Sequence, residues 1–599
     1  MSTPSIFSAV KHLRSLLTPE QKWQWVGIAC FALLTSILEM ITALVIVVFA
    51  QVLNNPTASQ KYLHWLPITQ YYSSGQVVFY IAIFCGLIYL VKNIIAGLEV
   101  FHQNFAIQKM NDQFTDALMR RYAKSDYEYY LSRNSALGAS VISDDVDQVF
   151  SVGMVSLASI LSEGIIFICL ILTIILMSPI LALIVFTICA VVGVVINKGL
   201  LPLFYRWGRR FQEASILSKQ NLMQFFSAFK EIVLLGKREE FVQGYQFFSR
   251  KKSRVKAIQN ATNALPRMVI EVLFVGLFVV TVSILCLKFE SPDAMTGILG
   301  GYLYVGFRLM PGLNRIINYF NNFKAVIPAI ELTTAEYHAK ALQENYCDAP
   351  HFQFNQSITF NQVSFRYLNT TMDALRNLSF QIQKGECIGI IGATGSGKST
   401  LVDMLLGLLH PYQGSILIDQ QFPVYSLQWH RCVGYVPQSV YLIDDTILAN
   451  IAFGEKTKKV DFKRIHQTVE NAQLSQLIRQ LPMGLSTLVG ERGVRLSGGE
   501  RQRIAIARAL YHNPDVLIFD EATSALDNET EARLMETIYS VSRNRTVIMI
   551  AHRLTTLKNC HRIIELSQGS IKHVMSYSEL QLKSASTTPP GMPPLHHIR

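Results

Sequence analysis

Charge is what this chain has least of. Asp, Glu, Lys and Arg make up 16% of its 599 residues, while 50% are apolar; a soluble globular protein carries about 25% charged residues. With a mean hydropathy of +0.27, part of the chain must have lipid as its solvent. The nine cysteines include no CxxC pair, and Cys30, Cys85, Cys169, Cys189 and Cys286 lie in apolar runs. They read as small hydrophobes and imply neither a zinc site nor a disulfide framework. A cleavable signal peptide is not expected either, because the first 22 residues are polar and the apolar run behind them is too long for one. The same composition excludes a disordered or collagen-like chain.

What is present divides near residue 335. Apolar runs at 24–51, 77–101, 149–177, 180–204, 266–287 and 297–320 each supply the roughly 20 residues needed to cross a bilayer, which predicts six spanning helices. Between the second and third runs lie Lys109, Arg120, Arg121, Lys124 and Arg133, and thirteen Lys/Arg lie from Lys198 to Lys256; the opposite loops offer only Lys61 and Lys288. That bias places both termini and both long loops in the cytoplasm. It also accounts for the net charge of +12 without nucleic acid as a partner. The expected organisation is a transmembrane domain over 1–335, a linker over 336–352, an α/β domain over 353–583 and a disordered tail over 584–599. The α/β expectation rests on short β-rich runs alternating with helical segments, such as Cys387–Ile391, Val433–Val436, Val516–Phe519 and Thr546–Ile550.

Gly392-Ala393-Thr394-Gly395-Ser396-Gly397-Lys398-Ser399 follows one of those strands and opens a helix, the context a phosphate-binding P-loop requires. The glycines let backbone N–H groups close around phosphate oxygens, with Lys398 as a point charge on the β/γ-phosphates and Ser399 as a hydroxyl for Mg²⁺. Val516 to Glu521 is an apolar strand ending in two acids. Asp520 is placed to hold Mg²⁺, directly or through water, and Glu521 to act as general base on the attacking water.

With these motifs the second domain resembles the ATP-binding-cassette (ABC) ATPases. Leu496-Ser497-Gly498-Gly499-Glu500 resembles their signature sequence, Gln438 the Q-loop glutamine, Ser524-Ala525-Leu526-Asp527 the D-loop and His552 the switch histidine. Tyr367 matches the aromatic that stacks on adenine. Thr487 to Gly493 resembles the exporter X-loop, with Leu488 where an acid is common. The resemblance implies an ATP and Mg²⁺ site built from Tyr367, Gly392, Thr394, Gly395, Ser396, Gly397, Lys398, Ser399 and Thr400. It implies that Ser497, Gly498 and Gly499 contact the γ-phosphate of a second subunit, that Ser399, Gln438 and Asp520 ligate the metal, and that Glu521, His552, Gln438 and Lys398 are catalytic. Since two ATPs are sandwiched between two cassettes in that family, one intact set per chain implies a homodimer. Six helices before one cassette resemble an ABC exporter half-transporter, with short cytoplasmic helices near 118–132 and 215–235.

The spans also carry Glu39, Lys92, Glu163, Arg267, Glu271, Arg308 and Arg315, each costly in lipid by ~2.5–3.5 kcal/mol on insertion scales. Arg308 and Arg315 fall two turns apart on one face of the sixth helix. Arg267 and Glu271 are also spaced to pair with each other, and Lys92 to snorkel. Ala264-Leu265-Pro266-Arg267, Arg308 to Arg315 and Leu401-Val402-Asp403 resemble the lipid-linked oligosaccharide flippases of bacterial protein N-glycosylation. The resemblance implies ATP-driven flipping of a polyprenyl-diphosphate-linked oligosaccharide from the cytoplasmic to the periplasmic leaflet of the inner membrane. It places Lys92 (an arginine in that family), Arg267, Arg308 and Arg315 around the diphosphate, and a short external helix within Ser59–Ser74. Export of another amphiphile, such as lipid A, a peptide or a drug, is the alternative.

Overall fold

The computed structural model describes residues 5–54, 74–177, 193–194, 196–288, 292–339, 353–368, 370–522, 528–541, 545–551 and 553–586. Two compact units emerge: residues 1–124 with 133–340, and Ser125–Ser132 with 341–599.

The first unit is all helix among its described residues. A short helix α1 (Ile6–Leu16) is capped by Ser5, whose hydroxyl accepts from the Ser8 N–H at 3.1 Å. After it come α2 (Pro19–Asn54) and α3 (Ser74–Ala123). At 1.5 Å per residue, the 50 residues of α3 run to about 75 Å, far beyond a bilayer's ~30 Å hydrocarbon core, so its basic end must leave the membrane. Large apolar side chains of α3, among them Phe79, Phe84, Leu87, Leu90, Ile94 and Leu98, are exposed. An unbroken apolar surface of this size is what a lipid-facing helix presents.

Beyond the five-residue helix α4 (Tyr127–Leu131), α5 (Ser135–Ser140) passes through π-wound turns at Val141–Asp145 and Gln148–Met154 into α6 (Val155–Met177). The fourth apolar run falls mostly outside the described residues. The chain resumes in α7 (Leu201–Ser227), breaks at Ala228 into α8 (Phe229–Leu234), and continues in α9 (Arg238–Lys288) and α10 (Pro292–His338). Among the described residues, Pro19–Ile46, Gly75–Ala123 and Ser135–Leu172 are long and apolar enough to cross a membrane. Runs five and six lie within α9 and α10.

One expectation is corrected in this unit. The polar stretch assigned to a linker from 336 is helical through His338. Glu336 there is buried rather than solvated, at 6% exposed; it accepts from the Tyr122 hydroxyl at 3.2 Å and pairs with Arg133.

The second unit has two sheets. A four-stranded sheet in the order β2-β1-β4-β5 joins β1 (Ser357–Phe365), β2 (Leu375–Gln383), β4 (Gln413–Ile418) and β5 (Phe422–Pro423), with every pairing antiparallel. The other holds β3 (Cys387–Gly392), β6 (Val433–Val436), β7 (Val516–Asp520), β8 (Thr546–Ile550), β9 (Arg562–Ser567) and β10 (Ser570–Met575) in the order β10-β9-β3-β8-β7-β6. Its first five strands in sequence are mutually parallel, and β10 returns antiparallel to β9. Strands β7 and β8 are buried almost throughout, as the near-continuous apolar runs of a sheet covered on both faces require. Trp429, fully buried, donates from its indole to the Leu405 carbonyl at 2.7 Å, which ties the P-loop helix α11 (Lys398–Leu405) into the core.

Candidate functional site

Strands β3 and β7 deliver their carboxyl ends side by side across β8, where an open parallel α/β sheet binds its ligand. From β3 the chain enters the P-loop and then α11. Gly397 sits at φ 102° before the first turn, and a Cβ there would lie 2.8 Å from the Ala374 carbonyl oxygen. Only glycine lets the loop turn this tightly. The Lys398 ammonium donates to the carbonyls of Gly392 and Ala393 at 2.8 and 3.1 Å, folded back over the loop that its charge is meant to serve. The Ser396 hydroxyl oxygen is buried without a hydrogen-bond partner among the described residues.

At the end of β7, Asp520 accepts from the Tyr435 hydroxyl at 3.4 Å. Burial, and then the neighbouring Glu521 charge, raise its carboxyl above the usual carboxylate range. Glu521 stands at φ 49°, a left-handed conformation uncommon for a side chain of its size. Its N–H donates to the Ile550 carbonyl at 3.0 Å, and its carboxylate accepts from the Gln438 amide at 2.6 Å. The Q-loop glutamine and the expected base are therefore already in contact. Ser497 caps helix α12 (Gly498–Tyr511) through a reciprocal box: its hydroxyl accepts from the Glu500 N–H at 3.3 Å, and Glu500 accepts from the Ser497 N–H at 2.7 Å. The box fixes a helix N-terminus with small residues in its first turn, suited to an anion. Tyr367 donates to or accepts from the Thr400 hydroxyl at 3.0 Å and packs edge-on against Phe365. His552 and the D-loop Ser524 to Asp527 lie outside the described residues.

These residues fit nucleotide and Mg²⁺. The orphaned Ser396 hydroxyl and a lysine satisfied by the loop's own carbonyls both await an anion. Ser399, Asp520 and Gln438 supply hard oxygens. A Mg²⁺ ion there would be held by one carboxylate together with phosphate oxygens. ATP with Mg²⁺ would supply the activated phosphoryl group. In that complex Lys398 would neutralise phosphate charge, Asp520 would hold the ion, and the hydrogen-bonded Gln438–Glu521 pair would face the attacking water.

Sequence reasoning gave Asp403 no role beyond its place in the Leu401-Val402-Asp403 resemblance. On α11 it is half-buried, and burial followed by the Asp520 charge pushes its carboxyl up to about 6. A raised carboxyl leaves the folded state holding a proton that the unfolded chain releases, so stability falls as pH rises between about 4 and 6. Asp403→Asn mimics the protonated form. In the nucleotide-free protein it is expected to raise the unfolding temperature at pH 7.5 and to flatten its pH dependence between pH 4.5 and 7, measured by a fluorescence melt.

Three of the four transmembrane cations singled out in the sequence have acidic partners in the structure. Lys92 pairs with Glu39 at 2.8 Å, both nearly fully buried, and lies 4.7 Å from the Tyr89 ring centre. Arg315 is held by Glu163 through two bonds, at 2.6 and 3.1 Å. Arg267 pairs with Glu271 one turn on, at 2.8 Å, and both are exposed. Arg308 sits in α10, with its side chain outside the described part, as is all of 55–73, where the external helix is expected. The carboxylates win because an unpaired charge in a low-dielectric setting is far costlier than an ion pair.

Two family models match the chain. Residues 25–293 match the ABC transporter transmembrane region and residues 375–524 the ABC transporter domain. The chain thus has the ABC exporter fold, a helical transmembrane domain followed by an ABC ATPase domain. Its relatives include the ATP-dependent lipid A-core flippases of Cupriavidus metallidurans (40% identical over 37% of this chain and 38% of that protein) and Alkalilimnicola ehrlichii (34% identical over 55% and 56%). The alpha-hemolysin translocation ATP-binding protein HlyB of Escherichia coli is 44% identical over 38% of this chain and 32% of its own length. The chain spans about two-fifths of the length of several of the curated relatives it matches. A bacterial Atm1-family ABC exporter with ATP bound shares the fold, with a TM-score of 0.76 over 94% of this chain and 96% of its own at 23% identity.

Proposed function

We propose that the chain is one half of a homodimeric flippase of the bacterial inner membrane, which couples hydrolysis of ATP with Mg²⁺ to movement of a polyprenyl-diphosphate-linked oligosaccharide from the cytoplasmic to the periplasmic leaflet. The observation that carries the cargo is Arg315: a guanidinium held at a transmembrane helix by two of its N–H groups, two turns after Arg308. Glu163 occupies the geometry in which paired phosphate oxygens bind a guanidinium fork, so a diphosphate can exchange for the carboxylate. The cassette's P-loop, its Gln438–Glu521 contact and its capped signature helix support hydrolysis.

Lipid A-core is the second reading, favoured by the names of several relatives. The test is a flipping assay in proteoliposomes with polyprenyl-diphosphate oligosaccharide and lipid A-core in parallel. The expected result is ATP-dependent movement of the first lipid, lost on Arg308→Ala/Arg315→Ala while ATP hydrolysis persists. Movement of lipid A-core alone overturns the diphosphate reading.

A further inference from the structure

The first unit carries a half-open cavity of about 410 Å³ whose wall includes Glu39, Lys92, Glu99, Ser162, Glu163 and Tyr319. Three carboxylates line it, and among the described residues Lys92 and Arg315 pair with two of them. Lys92 is committed to Glu39 and Arg315 to Glu163. Glu99 is 5% exposed and accepts a hydrogen bond from the Ser162 hydroxyl at 2.6 Å. Among the described residues no cation pairs with it. Glu99 follows Lys92 by seven residues on α3, two turns along the same face, yet the ammonium has turned to Glu39. Glu99 is therefore a buried carboxylate whose partner among the described residues is a neutral hydroxyl.

From this buried carboxylate in the cavity wall we infer that the cavity is a binding site for a monovalent cationic group, with Glu99 as its counter-charge. An uncompensated carboxylate in a transmembrane helix marks a ligand or ion site by default, because lipid penalises it. A divalent ion is the poorer fit: Glu39 and Glu163 are engaged, and no three acidic side chains converge as a metal cluster among the described residues. Serine and tyrosine hydroxyls in the wall supply further acceptors for an N–H donor or an alkali ion. The cation has two sources, an inorganic ion or an ammonium group on a transported molecule. The inference does not rest on the cargo proposed above, although Glu163, the carboxylate that a diphosphate would displace, lines the same cavity.

The test is a thermal melt of the full-length protein in detergent at constant ionic strength, with choline chloride replaced stepwise by sodium, potassium or methylammonium chloride. A ligand that binds only the folded state raises the unfolding temperature with concentration. The expected result is a saturable rise for wild type, with half-saturation moved at least tenfold higher in Glu99→Gln, which preserves shape and the contact with Ser162. Glu99→Asp, which keeps the charge, should retain the response. A rise with sodium or potassium identifies an inorganic ion, and a rise with methylammonium alone identifies an amine-bearing ligand. No rise with any of the three, or equal rises in wild type and Glu99→Gln, overturns the inference. No lipid cargo or nucleotide takes part in the melt, so failure here leaves the flipping assay untouched.

Discussion

Glu521→Gln is expected to cut ATP turnover by roughly 10²–10⁴-fold, the range that removal of a positioned general base produces, while nucleotide binding stays intact. The separation follows from geometry. The P-loop and Lys398 belong to β3 and α11, whereas Glu521 closes β7, and its backbone is fixed by the Ile550 carbonyl rather than by its own carboxylate. Glutamine keeps an oxygen to accept from the Gln438 amide and loses only the capacity to take a proton. Phosphate release at saturating ATP, alongside binding of a fluorescent nucleotide, checks both halves. A variant hydrolysing within fivefold of wild type would remove Glu521 from the role of base.

The second large effect concerns packing. Gly208 on α7 meets α10 so closely that a Cβ at that position would lie 1.9 Å from the Ala325 carbonyl oxygen and 2.7 Å from its carbonyl carbon. Both obstructing atoms are helix backbone and have no rotamer to change. Gly208→Val therefore has to separate the two helices, at a cost near the upper end for overpacking, about 3 kcal/mol. At Gly97 and Gly164 a Cβ would meet nothing within 4 Å; Gly97→Ala and Gly164→Ala are expected to be neutral or slightly stabilising, since alanine is the better helix former. Unfolding temperature and monodispersity of the purified variants decide the matter. A Gly208→Val protein as stable as Gly97→Ala would show that the helices are not in contact there.

The nucleotide site is legible in the sequence because its chemistry is contiguous: a loop, a strand end or a helix cap each brings its residues in one short stretch, and the sheet assembles them. The membrane charges are less so. Arg267 and Glu271 sit one turn apart and declare their pairing, whereas Lys92 finds Glu39 on another helix 53 positions earlier, a contact no local spacing announces. Glu99 stands at the end of an apolar run, where a charge usually marks the interface, and nothing in its neighbours betrays its burial. Asp403 is hidden for a related reason, since an acid on a helix is most often solvated; here the helix is pressed on a sheet beside a second acid. The polar stretch before 339 misleads in the opposite direction, because Glu336 has the composition of a solvated linker and yet finds its hydrogen-bond partners inside the bundle.

The second unit is not one continuous piece of chain. Its eight residues Ser125–Ser132 precede the rest by some two hundred positions, and among them Tyr127 packs against the same core as Tyr367 and the buried face of α11. On the ribosome this segment emerges early, long before the sheet it belongs to exists, and with domains forming in order of synthesis it must wait to be enclosed. An ATPase fragment cut at the linker would lack Tyr127, which packs against its core. The boundary that looks natural in the sequence is thus a poor place to divide the protein, and the loop Ser125–Ser132 is as much a part of the cassette's assembly as of the chain that leads into the membrane.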